Sequence, residues 1–338
     1  MSKVLIIAEA GVNHNGDVDL AKQLISEAKK AGADIVKFQT WITEDLIDTR
    51  APKANYQKEN DGAETSQFEM LKKLELSFQD FTELKKYAEQ TGIQFLSTPD
   101  DLKSLDFLAD SLNLSLLKIG SGEVTNLPYL LKVGAKKKDV ILSTGMSDLK
   151  EVETAYHTLL NAGARSVALL HCTSNYPASY KSINLKAMGA LQKHFNCTVG
   201  YSDHSIGSEV SIAAVALGAT IIEKHFTLDK TLPGPDHKAS LDLKELGDFI
   251  RQIRNTEAAL SGSGKKEIQP DEIETKKVVT KGIYLSRDAK KGEIITVDML
   301  IMKRPVVGLS AANYEQIIGK KIKSNLSNGT ALTLDHFE

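Results

Sequence analysis

Two histidines, each at the end of a predicted strand, are the residues of this sequence best suited to chemistry. His204 follows TVGYS (198–202) and His225 lies near the end of TIIEKHF (220–226), with an apolar helix predicted between them over 207–217. A right-handed crossover would lay the strands parallel and bring both carboxyl ends to one edge. Converging imidazoles suit a divalent metal that keeps positions for water and substrate. Each histidine alone could be an ordinary polar residue at a strand end, but the paired placement favours a metal site.

In several other predicted strands, the apolar residues of one face are followed by a polar or charged residue at the carboxyl end. Alternate residues of a strand share a face, so an apolar series that turns polar at its carboxyl end indicates a polar layer at one rim. Lysine, glutamate and histidine are seldom buried without a partner. The residues placed in this layer by alternation are Glu9, Lys37, Gln39, Lys118, His171, Glu223 and His225. Five or more such residues in one layer predict an active site.

The elements that would position this layer alternate regularly between short apolar runs and amphipathic helical segments. Eight runs are strand-like: residues 4–10, 34–40, 93–98, 115–121, 140–144, 167–173, 198–202 and 220–226. Helices are predicted between or after them over 17–31, 78–91, 148–162 and 243–260. Eight strand–helix units in about 260 residues predict an α/β fold, a (β/α)8 TIM barrel, whose active sites lie at the carboxyl ends of the strands. A doubly wound open sheet is the alternative, weakened because no GxGxxG follows the first strand.

The domain organisation follows from where this alternation stops. Residues 1–260 are predicted as the barrel, 261–277 as a linker rich in Gly, Ser and charge, and 278–338 as a small β-rich domain. Long insertions after the second strand (41–79) and the eighth (227–241) would lie over the active face. Part of 63–77 could be helical.

The composition indicates a globular protein and excludes several function classes. The chain has 338 residues, 41% of them hydrophobic and 25% charged, and a formal net charge of −2. The lysine clusters at 136–138 and 290–291 are read as solvated faces, so no nucleic-acid partner is expected. The apolar start is too short for a membrane span and does not resemble a signal peptide, which favours the cytoplasm. Cys172 and Cys197 are expected to be reduced thiols.

Eight motifs, in order, resemble those of the sialic acid synthase family. They are AEAGVNHNG, VKFQT, KIGSGE, LSTGM, HCTSNYP, GYSDHS, EKHF and PGPDHKAS, followed by GIY and KRP near the C-terminus. The resemblance implies an enzyme that condenses phosphoenolpyruvate with an N-acylated mannose-type sugar to give a nine-carbon 2-keto acid and phosphate. It also implies a divalent metal, Mn²⁺ or Mg²⁺, and a C-terminal antifreeze-like (SAF, β-clip) domain exchanged between the subunits of a homodimer.

The same resemblance assigns roles to individual residues by their motifs. His204 and His225 would bind the metal, and Lys37 and Lys118 would hold the phosphate and carboxylate of phosphoenolpyruvate. Glu9 and Glu123 are the candidates for moving protons, with Glu123 the better placed to activate water. The serines expected to assist substrate binding are Ser121, Ser143, Ser174 and Ser202. The residues expected to meet the sugar are Gln39, Tyr176, Asp236 and, from the partner subunit, Arg304.

The sugar itself is less closely defined by these motifs. N-acetylmannosamine is favoured, which would make the product N-acetylneuraminate. Ser174 stands where sialic acid members commonly have Asn, and Asp100 stands where an aromatic residue is usual. The motifs AEAGVNHNG and EKHFTLDK and the segment PKANYQ (52–57) also look like synthases of the diacetamido analogue legionaminic acid, although Gly120 replaces the Pro that those relatives tend to have.

Two further functions are alternatives. A Schiff-base aldolase could use Lys37 or Lys118 as its nucleophile, although such an enzyme would not need the paired histidines. The tail could instead be an ice-binding or carbohydrate-binding module on an inert barrel, which would leave the inward charged layer unexplained.

Overall fold

The computed structural model describes residues 3–53 and 66–338. The chain divides into two compact units, Met1–Ser261 and Gly262–Glu338. In the first unit, eight strands pair in parallel in the order β3-β2-β1-β8-β7-β6-β5-β4, and β3 and β4 at the two ends of this order contact each other. The strands are β1 Leu5–Gly11, β2 Ile35–Thr40, β3 Gln94–Pro99, β4 Leu116–Ile119, β5 Asp139–Ser143, β6 Ser166–Cys172, β7 Val199–Asp203 and β8 Ile221–His225. The predicted (β/α)8 barrel is confirmed, and the open-sheet alternative is wrong.

Helices alternate with these strands, and several begin at the capping residues that the sequence supplies. They are α1 Val18–Ala31, α2 Thr43–Leu46, α3 Gln67–Leu74, α4 Phe78–Thr91, α5 Leu102–Asp106, α6 Leu127–Ala135, α7 Leu149–Ala162, α8 Ala187–Phe195, α9 Glu209–Ala216 and α10 Leu243–Leu260. The carboxylates of Asp17, Asp148 and Asp242 accept backbone N–H groups in the first turns of α1, α7 and α10. Four of the predicted helices therefore agree with the structure within one residue.

Apolar side chains pack on both faces of the barrel strands. Side chains on the outer face of the strands pack under the helices in one large core. The inner face is filled by a small layer of branched side chains, Ile7, Ile35, Leu96, Ile141, Leu170 and Ile221. The polar layer begins on the next inward-facing residues toward the carboxyl ends, as Glu9, Lys37 and Glu223 show.

One strand faces the opposite way from the prediction. Alternation placed His171 in the inward layer, but Leu170 and Cys172 face inward, while Leu169 packs in the outer core. His171 is bonded on the outer side, with Nε2 2.6 Å from the Ile183 carbonyl oxygen. The reason is that VALLHCT is apolar on both faces, as strands of parallel sheets are, so alternation does not distinguish its inner face.

The insertion after β2 contains α2 and α3, so the predicted helical part of 63–77 is confirmed for Gln67–Leu74. Residues 63–65 of that stretch lie outside the described residues, and so do residues 54–57 of the segment PKANYQ. No helix within 3–53 and 66–338 is both long and apolar enough to cross a bilayer. Both cysteines are free thiols, as expected.

The second unit has its own small core and little regular structure. It contains α11 Glu272–Val279 and an antiparallel pair, β9 Gly282–Leu285 and β10 Leu300–Lys303. Most of the remaining pairing is through isolated bridges, such as Ala289 with Leu326. Helix α11 lies mainly where the sequence predicts a linker, with acidic residues in its first turn and lysines in its last, an arrangement that favours the helix dipole. The domain limits proposed from the sequence stay predictions.

Candidate active site

A cavity of about 380 Å³ opens at the carboxyl ends of the barrel strands. Nearly all the residues that the sequence assigned to substrate and metal line it, although they come from different strands. The lining residues are Glu9, Lys37, Gln39, Thr98, Asp100, Lys118, Gly120, Ser121, Gly122, Ser143, Met146, Cys172, Ser174, Tyr176, Ser202, His204, Glu223 and His225. The predicted rim of the barrel is therefore where these side chains converge.

Two lysines and two glutamates form a buried charged layer at the base of this cavity. Lys37 Nζ lies 2.6 Å from Glu9 Oε2 and 3.6 Å from Glu223 Oε2, while Lys118 Nζ lies 3.6 Å from Glu223 Oε1. All four side chains are at most 5% exposed. Gln39 Nε2 donates to Glu9 Oε1 over 3.3 Å. When both glutamates are ionised, the two positive and two negative charges of the layer balance, which allows them to stay buried.

The two carboxyl groups differ in acidity because they differ in their lysine neighbours. Burial raises the pKa of Glu9 to about 7, against the attraction of Lys37. Burial opposes ionisation of Glu223 too, but Lys118 and Lys37 outweigh it and hold the pKa of that carboxyl at about 2. Burial also lowers the pKa of Lys118. Glu223 is therefore the firmly ionised partner of the lysines, and Glu9 is the group that can take up a proton.

Hydroxyl groups surround the lysines and complete a set of donors for an anion. Lys118 Nζ donates to Ser143 Oγ at 2.7 Å, and Ser202 Oγ donates to Glu223 Oε1 at 2.9 Å. Ser121 Oγ accepts from the Gly145 N–H at 2.9 Å. Two ammonium groups and three hydroxyls in one small cavity are suited to a phosphate or carboxylate group.

The two histidines lie side by side at another part of the cavity wall. Their ring centroids are 5.5 Å apart, and the Tyr176 ring lies 4.0 Å from His204 and 5.6 Å from His225. His204 Nδ1 is 2.9 Å from the Thr173 carbonyl oxygen. Burial lowers the pKa of His204, but Cys172 and the Thr173 carbonyl outweigh it and raise that pKa above its ordinary value. When Nε2 gives up its proton, Nδ1 keeps donating to Thr173 and Nε2 carries the lone pair, which is the arrangement of a metal-binding imidazole.

His225 carries the buried nitrogen that a metal would explain. Its Nδ1 is buried without a hydrogen-bond partner and lies 3.8 Å from Asp236 Oδ2. Burial, together with His204, lowers the pKa of His225 well below its ordinary value, so the ring is neutral. Over the described ranges, no group of three or more His, Cys, Asp or Glu is arranged to hold an ion by itself. The residues fit a metal held by two imidazoles with other positions left to water and substrate.

Three predicted site residues do not line the cavity. Asp236 is buried beside His225, and burial raises the pKa of its carboxyl to about 6. Glu123 is half-buried and accepts from Asn126 Nδ2 at 2.6 Å, and burial raises its pKa. Arg304 is an exposed residue of the second unit.

Several cavity residues have no role predicted from the sequence. Glu223 shares the inward face of β8 with His225, so alternation located it, but its position between Lys37 and Lys118 depends on three strands. Asp100 follows β3 at the same rim, and burial raises its pKa to about 7. Cys172 lines the cavity because β6 turns toward it the face opposite to the predicted one.

Comparisons with known proteins show the family to which the chain belongs. A profile of the NeuB family matches residues 24–266, and a profile of the SAF domain matches residues 280–338. The N,N'-diacetyllegionaminic acid synthase of Legionella pneumophila is 48% identical over 98% of this chain and 94% of its own length. The human N-acetylneuraminate-9-phosphate synthase is 37% identical over 94% of this chain and 88% of its own length.

A solved structure is similar to this chain in both sequence and fold. The N-acetylneuraminic acid (sialic acid) synthetase of Leptospira borgpetersenii serovar Hardjo-bovis, crystallised with citrate, superposes with a TM-score of 0.70 at 35% identity, covering 81% of this chain and 90% of that one. Fold and domain content thus define a (β/α)8 barrel followed by a SAF domain. The chain belongs to the NeuB family.

Proposed function

We propose that this protein condenses phosphoenolpyruvate with an N-acylated mannose-type sugar, giving a nine-carbon 2-keto sugar acid and phosphate. The observation that carries the proposal is the buried layer of Lys37, Lys118, Glu9 and Glu223 in one cavity with two histidines whose rings are 5.5 Å apart. The names of its relatives support a sugar-acid synthase.

Phosphoenolpyruvate would bind between the two lysines. The anion replaces carboxylate contacts that now neutralise Lys37 and Lys118, and it gains the hydroxyls of Ser121, Ser143 and Ser202. Glu9 lies 2.6 Å from Lys37 and can become neutral near pH 7. A proton on Glu9 would reduce its repulsion of an incoming anion.

His204 and His225 would hold the divalent ion, Mn²⁺ or Mg²⁺. Such an ion supplies Lewis-acid polarisation of the aldehyde oxygen of the open-chain sugar. The chain's own residues fix the imidazoles, since the Thr173 carbonyl bonds to His204 and Asp236 lies beside His225. Gln39, Tyr176, Ser174 and Asp236 would meet the sugar hydroxyls and the N-acyl group.

The bond changes balance without any redox partner. The enol carbon of phosphoenolpyruvate attacks the aldehyde carbon, forming the new C–C bond and leaving an oxocarbenium-like carbon at C2. The π bond of the aldehyde breaks at the same time, and its oxygen takes a proton from Glu9 to become a hydroxyl. Water adds to that carbon and gives its proton to a carboxylate. We propose Glu123 for this role, because it directly follows the lining residues Ser121 and Gly122 although it does not line the cavity itself. Collapse of the tetrahedral carbon breaks its bond to the bridging oxygen and releases phosphate.

The acceptor sugar is proposed from the relatives rather than from the cavity. The sequence motifs favour N-acetylmannosamine, whereas the diacetamido-sugar synthase is the more similar relative, at 48% identity against 37% for the human enzyme. We therefore place 2,4-diacetamido-2,4,6-trideoxymannose first and N-acetylmannosamine second. Ser174 and Asp100, which depart from the sialic acid pattern, both line the cavity.

The assembly is also proposed from the family resemblance. A homodimer whose SAF domains are exchanged would bring Arg304 of one subunit to the sugar site of the other. The cytoplasm stays the predicted location.

The test is phosphate release from phosphoenolpyruvate by the purified protein, with Mn²⁺ or Mg²⁺ and a panel of N-acylated mannose-type sugars. We expect release only when both substrates are present, and the highest kcat/KM with the diacetamido sugar. A higher kcat/KM with N-acetylmannosamine would reverse the order of the sugars. Absence of release with every sugar would contradict the proposed reaction.

A Schiff-base aldolase is the second candidate because burial lowers the pKa of Lys118, as such a nucleophile requires. Borohydride reduction in the presence of pyruvate would attach the pyruvate carbons to that lysine. We expect no such adduct, because Glu223 and Ser143 hold the Lys118 ammonium group.

A further inference from the structure

A second buried pair of opposite charges lies outside the cavity, between the ends of β7 and β8. Asp203 Oδ2 is 2.9 Å from Lys224 Nζ, and the side chains are 0% and 2% exposed. The two residues are register partners in the pairing of these strands. Neither lines the cavity, so the pair is separate from the proposed substrate site.

Every charged atom of this pair has additional partners. Asp203 Oδ1 accepts from the N–H of Ser205 at 2.8 Å and from its hydroxyl at 2.6 Å. Asp203 Oδ2 also accepts from Ser211 Oγ of α9 at 2.7 Å. Lys224 Nζ donates to the Ser205 carbonyl oxygen at 2.5 Å. The network therefore connects the end of β7, the following turn, α9 and β8.

A buried ion pair of this kind needs an explanation other than stability. Removing two charges from water costs free energy that their attraction does not always offset, and apolar residues of similar volume are often as stabilising. What such a network does provide is a defined geometry, because each partner restricts the position of the others.

The geometry defined here is that of the two candidate metal ligands. Asp203 and Ser205 flank His204 on both sides, and Lys224 directly precedes His225. Side chains alternate along a strand, so Lys224 faces the helices while His225 faces the cavity. The network thus restrains the backbone on both sides of one histidine and immediately before the other.

We propose that Asp203 and Lys224 are positioning residues that set the separation of His204 and His225 from the outer side of the barrel. The inference rests on the proposed metal role of those histidines. Because neither residue contacts the cavity, their removal should weaken metal binding and leave the lysines that would bind phosphoenolpyruvate in place.

The test compares Mn²⁺ binding by the wild-type protein and the double variant Asp203→Asn/Lys224→Met. Replacing both residues avoids leaving one buried charge unpaired, which a single replacement would do. Free Mn²⁺ is measured by electron paramagnetic resonance, without turnover, well below the melting temperature. We expect the Mn²⁺ dissociation constant to rise about 10- to 100-fold, as loss of supporting contacts to metal ligands does. The dissociation constant of phosphoenolpyruvate, measured without metal, should stay within about twofold.

A matched control separates positioning from general weakening of the fold. Arg254 Nη2 and Asp34 Oδ2 form an ion pair at 2.6 Å near the amino ends of the strands, away from the histidines. Asp34→Asn/Arg254→Met should lower the melting temperature and leave Mn²⁺ affinity unchanged. If the main variant does not fold, Lys224→Arg keeps the charge and alters the geometry, and a smaller rise in the Mn²⁺ dissociation constant is expected.

The outcomes separate the metal role of the two histidines from the positioning role of Asp203 and Lys224. A wild-type protein that binds no Mn²⁺ would overturn the metal role and, with it, this inference. A wild-type protein that binds Mn²⁺, together with unchanged affinity in Asp203→Asn/Lys224→Met, would overturn only the positioning role. An equal loss in the Asp34–Arg254 control would do the same.

Discussion

Lys118 and Lys37 are held in place by neighbours that an anion could replace. Lys118 contacts Ser143 and Glu223, and Lys37 contacts Glu9 and Glu223. If both hold phosphoenolpyruvate, Lys118→Met removes a charge-assisted hydrogen bond of about 1.5–3 kcal/mol, which raises the KM for phosphoenolpyruvate about 10- to 150-fold. Steady-state kinetics should show much less change in the sugar KM. Lys150→Met, on an exposed position of α7, is the control. Equal losses for both substrates would indicate a damaged site instead.

His225 and His171 are both predicted in the inward polar layer, but only one of them reaches the cavity. His225 faces the cavity, whereas His171, predicted in the same layer, contacts the Ile183 carbonyl on the outer side. Chelation should abolish activity and added Mn²⁺ or Mg²⁺ should restore it, because the ion is needed to polarise the sugar. His225→Ala should stay inactive with added metal, and His171→Ala should respond as the wild type does. Unchanged turnover after chelation, or in His225→Ala, would contradict the metal role.

At the scale of elements, His237 joins the loop after β8 to the loop after β1, which contains a second buried histidine, His14. His237, in the β8 loop, has Nδ1 2.7 Å from Thr227 Oγ1 and Nε2 3.1 Å from Asn15 Oδ1 of the β1 loop. His14 Nδ1 accepts from the Gly16 N–H at 3.0 Å, and its Nε2 is buried without a partner. Burial lowers the pKa of each ring to about 4. The β8 loop also carries Asp236, 3.8 Å from His225, so this pairing connects the β1 loop to the surroundings of a candidate metal ligand.

Acid should therefore weaken the barrel in a defined pH window. The folded pKa values lie below the ordinary value of 6.5, so the unfolded chain binds more protons between pH 6.5 and 4, and stability falls as pH falls through that range. His14→Asn keeps an acceptor and removes one titration, worth up to about 3 kcal/mol at the acid end. Urea unfolding followed by the single tryptophan, the buried Trp41, should show a smaller acid loss in this variant. The exposed-position variant His157→Asn should behave as wild type, and identical slopes in all three proteins would contradict this account.

At the scale of the whole molecule, the proposed dimer predicts complementation between two inactive chains. In an exchanged dimer, a mixed pair of His225→Ala and Arg304→Ala subunits has one site with an intact barrel and an intact arginine. Arg304→Ala alone should have a raised sugar KM with metal binding retained, so the assay uses a sugar concentration far below that KM, at which this variant is inactive. Activity at that concentration should reappear after subunit exchange. If exchange is demonstrated, Arg304→Ala alone is inactive and no activity returns, the arginine acts within its own chain.

The sequence predicts the barrel well because its signals are local and repeated. Alternating runs and capping residues such as Asp17 and Asp148 define strands and helices without tertiary information. The face of β6 could not be predicted, because both faces of that strand are apolar. The role of Glu223 could not be predicted either, because it depends on lysines from β2 and β4 that meet only in the closed barrel. Helix α11 was missed because its residues are all exposed and lack an apolar face.

The measurement that tests the central claim most directly follows the bridging oxygen of phosphoenolpyruvate. The substrate is labelled with ¹⁸O at that position and incubated with the protein, the divalent ion and the diacetamido sugar, and both products are analysed by mass spectrometry. Because water is proposed to attack carbon, the label should appear in the released phosphate, in equal amount to a nine-carbon keto acid that lacks it. Label retained in the keto acid would contradict the attack of water at carbon, and phosphate released without the sugar would contradict the proposed condensation.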